Sequence, residues 1–180
     1  RPLRTQSMPW GIAAVTARER RQLDLGNALY RTTIIFAAIC LATGTSAIVE
    51  HPAPPVWEPR CPSSWQTATS SAISAAPPAT LVSFDQCVFG QCSRAPTSFL
   101  CIRLESLCDD IRSRGNSGRC DHGRRAHQTL LGIDPDTGKW RTAPKKRYPR
   151  ELCEAMARGV RDYLNTTWAL TDEEEVDLSE

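Results

Sequence analysis

The side chains best suited to binding a metal lie in the stretch from residue 108 to residue 127. Two thiols, Cys108 and Cys120, and two imidazoles, His122 and His127, fall within twenty residues of one another. Thiolate and imidazole are the ligands that tetrahedral zinc prefers. The spacing is not that of a standard zinc finger, because Cys120 and His122 are two residues apart and the histidines five. We interpret these four residues as a candidate zinc site.

Basic residues surround the candidate zinc site. The segment from residue 112 to residue 150 includes Arg119, Arg124, Arg125, Lys145, Lys146 and Arg147. Such clusters attract phosphate, so this segment indicates a DNA- or RNA-binding surface. The alternative is a solvated basic face balanced by the acidic carboxyl-terminal end, because the formal net charge of the whole chain is only +2. A zinc-stabilised nucleic-acid-binding module is therefore one hypothesis.

Two carboxylates follow short apolar segments that read as strands. Glu50 comes directly after residues 47–49, and Asp85 comes directly after residues 81–84. In an open parallel α/β sheet, the ligand crevice lies beyond the carboxyl ends of the strands. A carboxylate placed there can accept a hydrogen bond from an exocyclic amine of a base. The alternative is that Glu50 caps a helix and Asp85 closes a turn.

The sequence contains few other residue combinations that indicate catalysis. Cys87, with Asp85 and a histidine, supplies the residue types of a cysteine hydrolase, but the sequence fixes no distances between them. The GxxxxGK, HExxH and GxSxG motifs do not occur. The eight cysteines form no CxxC pair and no secretory signal is evident, which favours reduced thiols and a cytoplasmic or nuclear protein.

Hydrophobic periodicity predicts the elements that would position these residues. Residues 17–41 have the pattern of an amphipathic helix that stops at Gly44, followed by a short buried strand at 47–49. The apolar run at 34–49 is shorter than the roughly 20 residues of a spanning helix, so we expect no membrane partner.

Further elements follow along the chain. We predict strands at 81–84 and 97–102, a helix at 104–111, and a last helix opened by Pro149. This pattern predicts one α/β domain over residues 17–165. A flexible segment precedes it at 1–16, and an acidic disordered tail follows at 166–180.

Several short motifs also occur in a characteristic order between about residues 46 and 160. They are Glu50-His51-Pro52, Trp65, the run from Asp85 to Gly90, Ala95-Pro96-Thr97, Cys120 with His127, Tyr148-Pro149, and Leu152-Cys153. In this order they resemble a methyltransferase-like family carried in mobile-element-rich eukaryotic genomes. The resemblance implies the second half of a class I fold, that is, a partial Rossmann-like sheet with flanking helices and long loops.

The resemblance also implies which residues would act. Glu50, His51, Pro52 and Asp85 are the catalytic candidates, because in such a fold an acidic residue and a proline face the target base. His51 stands where these families tend to carry Asn. A Gly-rich turn for S-adenosylmethionine is missing, so this cofactor would require an upstream half. The sequence begins at Arg1 rather than Met, which suggests a processed chain or a fragment of a longer one, and we favour the fragment. Because the cofactor half is missing, we expect this fragment to be inactive.

Overall fold

The protein is a mixed helix and sheet fold in the computed structural model, which describes residues 2–56, 58, 61–123, 127–128, 130, 132–142 and 147–176. Its helices and strands are α1 (Ala17–Thr43), β1 (Ala47–Pro52), α2 (Ala68–Ala75), β2 (Ala79–Asp85), β3 (Pro96–Ile102), α3 (Glu105–Ser113) and α4 (Arg150–Val176). Short 3-10 helices at Ser64–Gln66 and Gln86–Phe89 precede α2 and follow β2. The mixed α/β class is therefore confirmed.

Helix α1 begins and ends at residues that the sequence marks as caps. The Thr16 hydroxyl oxygen accepts the Glu19 N–H at 3.2 Å, and the Glu19 carboxylate accepts the Thr16 N–H at 2.7 Å. This reciprocal pair is a capping box. At the other end, Gly44 takes the left-handed conformation and donates its N–H to the Cys40 carbonyl. The predicted helix at 17–41 is confirmed and runs two residues further.

The sheet corrects the predicted strand arrangement. Within the described residues it has three strands in the order β1-β3-β2, and it is antiparallel. The expectation that residues 47–49 and 81–84 are parallel neighbours is wrong, because β3 lies between them. The short connection from Asp85 to Pro96 explains why β3 pairs antiparallel with β2, since a parallel pair requires a crossover of a dozen or more residues.

The chain divides into two compact units. The first unit comprises Arg1–Leu81 with Ser98–Ile102, and the second comprises Val82–Thr97 with Arg103–Glu180. Each unit has buried apolar side chains of its own, which is the physical criterion for a separate compact body.

The core of the first unit is formed by α1 and the strands. Ile34, Ala37 and Cys40 on one face of α1 are buried in one cluster with Trp65 and Leu100. These α1 residues recur every three residues and so share a helix face. Packing against the strands therefore fixes which side of α1 is buried.

The amino-terminal segment contacts α1 through Asn27. The Arg4 guanidinium donates to the Asn27 side-chain oxygen at 2.6 Å, and the Asn27 amide donates to the Trp10 carbonyl at 2.9 Å. These polar contacts connect residues 4–10 of the segment predicted to be flexible with helix α1.

The core of the second unit brings α3 against α4. Leu107 and Ile111 of α3 and Leu152 of α4 are almost completely buried. A Cβ at Gly159 would lie 2.8 Å from the Leu107 Cβ, so a glycine permits this close approach. Helix α4 runs on to Val176, into the segment 166–180 that the sequence predicts to be a disordered tail. This stretch contains no Pro or Gly, and its glutamates have high helix propensity.

Candidate metal centre

Four side chains of the second unit converge on one point. The ligand atoms of Cys87, Cys120, His122 and His127 all lie within 4.8 Å of one another. The Cys120 Sγ lies 3.3 Å from Nε2 of His127 and 3.6 Å from Nδ1 of His122. We call these four residues the Cys/His centre.

The spacing of these atoms suits a tetrahedral ion. With zinc–sulfur and zinc–nitrogen bonds of usual length, tetrahedral ligation places sulfur and nitrogen about 3.6 Å apart. The two distances from Cys120 to the imidazoles lie close to that separation. Two thiols and two imidazoles are also a ligand set that structural zinc uses. The Cys/His centre therefore fits zinc in donor chemistry, and the two Cys120–imidazole distances fit it in spacing.

Cys87 is the buried member of the Cys/His centre. It lies in the 3-10 helix Gln86–Phe89 that follows β2, and its exposed fraction is 6%. Burial, then the hydrogen bond and charge of Cys120, and finally the charge of Asp85 raise the pKa of the Cys87 thiol to about 12. Without a cation this thiol keeps its proton at neutral pH. A metal ion that binds here must displace that proton.

Asp85 holds the loop that carries Cys120. Its carboxylate Oδ2 accepts the Cys120 N–H at 2.9 Å, and its own N–H donates to the Gly118 carbonyl at 2.9 Å. Gly118 has a φ of 79°, and a Cβ there would lie 3.1 Å from the Phe84 Cβ. The loop therefore needs glycine at this position and a carboxylate at Asp85 to bring Cys120 beside Cys87.

The Asp85 carboxylate is completely buried, and only one of its oxygens is paired. Oδ2 forms an ion pair with Arg94 Nε at 3.0 Å, whereas Oδ1 has no hydrogen-bond partner among the described residues. A buried charge requires such a partner to offset its desolvation. The sequence predicts that Asp85 contacts a base, and the structure places its side chain with no exposed area. Its contacts make it a positioning residue.

The two histidines reach the Cys/His centre from loops. Next to His127, Gln128 donates its N–H to the Cys92 carbonyl at 2.8 Å, which ties this part of the loop to the residues after the 3-10 helix. On the outer side, Nε2 of His122 lies 3.9 Å from the Asp121 carboxylate. A carboxylate near the second nitrogen of a ligating histidine is a common arrangement at metal sites.

Of the four residues predicted as metal ligands, the structure brings three together. Cys120, His122 and His127 are brought together, but Cys108 is not part of the Cys/His centre. Cys108 is buried at 1% exposure in α3, where it contributes to the apolar core. Cys87 takes its place from 33 residues before Cys120. The sequence signal for Cys87 was its position two residues after Asp85, at the end of a predicted strand. We predicted Cys108 instead, because it lies closer to Cys120 along the chain.

The other predicted catalytic residues lie in the first unit. Glu50, His51 and Pro52 are exposed at the end of β1. Glu50 and His51 line a cavity of about 440 Å³, together with Tyr30 and Trp65. The His51 ring meets Trp65 edge-on, with 6.1 Å between centroids. Partial burial lowers the pKa of His51, and the nearby Glu50 charge opposes that shift.

The predicted nucleic-acid residues are described only in part. Arg119 and Arg147 are exposed in the second unit. Arg124, Arg125, Lys145 and Lys146 lie outside the described residues. Two other arginines of the same basic segment are used internally. Arg114 binds Asp110 and Glu151 at 3.2 and 2.7 Å, and Arg112 lies 3.2 Å from Asp109.

Comparison with known proteins found no relative. No family model matches the chain, and neither a curated protein nor a solved structure is similar to it.

Proposed function

We propose that this chain is a zinc-stabilised binding module in which the Cys/His centre organises a basic loop region for contact with nucleic acid. The convergence of four ligand atoms within 4.8 Å carries the metal part of this proposal. Zinc here has a structural role, because four protein ligands complete a tetrahedral shell and leave no position for substrate.

The charge of the loop region supports the nucleic-acid part. Residues 119–147 contain eight Lys and Arg against three Asp and Glu, while the whole chain has a net charge of only +2. Arg119 comes directly before Cys120, and Arg124 and Arg125 lie between the two ligating histidines in sequence. Metal ligation would thus fix the backbone beside three arginines. Basic side chains on a fixed backbone bind phosphate at a lower entropy cost.

Metal binding is tested on the purified, reduced protein. We expect about one zinc per chain by elemental analysis, and Co²⁺ should give the visible absorption of a tetrahedral thiolate complex. Cys120→Ser should abolish both signals. Cys153→Ser is the matched control, because Cys153 is exposed on α4 and outside the Cys/His centre. A metal content near zero in the wild type would refute the proposal.

Nucleic-acid binding is tested by fluorescence anisotropy with a labelled oligonucleotide over a salt series. The affinity should fall as salt rises, with a slope that shrinks by about 0.9 for each lost phosphate contact on duplex DNA. Arg119→Gln should reduce this slope. Arg112→Gln is the control, because Arg112 already pairs with Asp109. If binding is absent or independent of salt, the nucleic-acid part of the proposal fails and only the metal-stabilised module remains.

A methyltransferase-like half-domain of Rossmann type is the second candidate function. The observation that favours it is the cavity lined by Glu50 and His51, since a carboxylate beside aromatic rings suits an amino-substituted base. The test is calorimetric titration with cytosine and adenine nucleosides. We expect Glu50→Gln to weaken binding, with uridine as the negative control. Equal binding of all nucleosides, or none, would dismiss this candidate.

A further inference from the structure

Helix α1 has apolar side chains on two opposite faces, and only one face is covered. Ile34, Ala37 and Cys40 are buried in the core of the first unit. On the other side, five large apolar residues are between 51% and 66% exposed, namely Leu25, Leu29, Ile35, Phe36 and Ile39. A helix that is apolar all round is normally buried all round. Exposed apolar patches of this extent mark interaction surfaces.

The exposed residues follow the spacing of a helix pairing seam. Leu25, Leu29, Thr32, Phe36 and Ile39 succeed one another at intervals of four, three, four and three residues. This alternation is the heptad pattern of helices that pack side by side. We call these five residues the α1 stripe, and Ile35 borders it.

We propose that the α1 stripe is a dimer interface, covered in solution by the same stripe of a second copy of this chain. Like surfaces that pair about a two-fold axis must be self-complementary. The stripe meets this condition from Thr32 to Ile39, because no charged residue occurs from Thr32 to Val49. Two helices that cross antiparallel near Phe36 would therefore bring no like charges together. Their arginine-bearing ends, at Arg18 and Arg21, would point in opposite directions.

The size of the patch agrees with a modest dimer. An antiparallel crossing near Phe36 places Leu25 beyond the end of the partner's helix, so four large side chains would be covered. Each of them exposes on the order of 100 Å², so pairing would bury about 400 Å² per copy and about 800 Å² in total. A specific interface is expected to exceed about 1,000 Å², and flanking residues such as Ala28 and Ala42 would add to the sum. We therefore expect a concentration-dependent dimer rather than a permanent one.

A lipid bilayer is the competing occupant. By length and composition, α1 is apolar enough to cross a membrane. However, the opposite face of α1 already packs within the first unit. Ile34 and Ala37 are buried there, and the Tyr30 hydroxyl forms a hydrogen bond with the Ser70 hydroxyl at 2.9 Å. A spanning helix would have to give up these contacts. A second copy covers the stripe and leaves them intact.

Sedimentation velocity over a wide range of concentrations tests this proposal. The wild type should shift from monomer to dimer, with or without a zinc chelator, because the α1 stripe lies in the first unit and the Cys/His centre in the second. Phe36→Glu should weaken dimerisation roughly tenfold or more. Ala38→Glu is the matched control, since Ala38 is exposed on the same helix but outside the α1 stripe. This variant should dimerise like the wild type.

Three results would overturn the proposal. One is a wild type that stays monomeric at every concentration, and another is a Phe36→Glu variant that dimerises normally. The third is a monomer that co-sediments with phosphatidylcholine and phosphatidylserine vesicles and loses this binding in Phe36→Glu, which would assign the stripe to lipid. Thermal unfolding of both variants checks that each remains folded.

Discussion

The first unit and the Cys/His centre are ordered by different kinds of interaction. In the first unit, a long helix and strands bury apolar side chains in one cluster. In the Cys/His centre, three of four ligands lie on segments without helix or strand, and the loop is held by Asp85 and by glycine geometry. Burial orders the first unit without a ligand, whereas residues 120–123 and 127–128 of the Cys/His loop are exposed or only partly buried. The two regions should therefore respond differently to the same perturbation.

Removal of metal should give the largest difference. A metal present at a thousandfold excess over its dissociation constant stabilises the folded state by about 4 kcal/mol. A strong chelator should remove this contribution and lower the unfolding temperature. Hydrogen exchange should then rise in residues 118–128 and stay unchanged in α1. Equal loss of protection in α1 and in residues 118–128 would mean that the two regions are not ordered independently.

Leu100→Ala perturbs the first unit rather than the Cys/His centre. Leu100 is completely buried in the first unit, and truncation of a buried leucine costs about 3 kcal/mol. Urea unfolding should show this loss in the presence or absence of chelator. The metal content of the folded variant should equal that of the wild type. A parallel loss of metal would mean that the two regions are not independent.

Asp85→Ala sharpens the account of how the Cys120 loop is held. It removes the acceptor of the Cys120 N–H and leaves Arg94 without its partner. Loss of such an outer contact typically lowers metal affinity about 10–100-fold. Competition with a chromophoric chelator measures this change. Asp85→Asn should recover part of the affinity, because its amide oxygen can still accept the N–H. Asp109→Ala, on an exposed ion pair, should have no effect.

Substitution of Asp110 should have the smallest effect on the free energy of unfolding, and this effect should depend on pH. Burial alone would raise its pKa, but hydrogen bonds from Arg158 and Arg114 outweigh burial and lower it. The ionised form therefore stabilises the fold above the unfolded pKa of about 3.9, and this contribution is lost as pH falls through the lower folded pKa. Asp110→Asn should cost about 1 kcal/mol at neutral pH and almost nothing in strong acid. Urea unfolding with chelator at both pH values tests this.

Elements with a strong local pattern could be predicted from sequence. The periodicity of residues 17–41 and the stop at Gly44 located α1 within two residues. The apolar runs at 81–84 and 97–102 located β2 and β3. Such patterns are local, because the spacing of buried side chains depends on the geometry of one helix or strand. Strand order has no such local signal, which is why the predicted pairing of residues 47–49 with residues 81–84 was wrong.

The sequence by itself determined that two thiols and two imidazoles were available and that Cys120, His122 and His127 lie close along the chain. Only the tertiary structure decided that Cys87, rather than Cys108, is the fourth member. Helix α3 places Cys108 in the apolar core, while the end of β2 brings Cys87 to the loop held by Asp85. A ligand set depends on distances in space, and no periodicity encodes a contact across 33 residues.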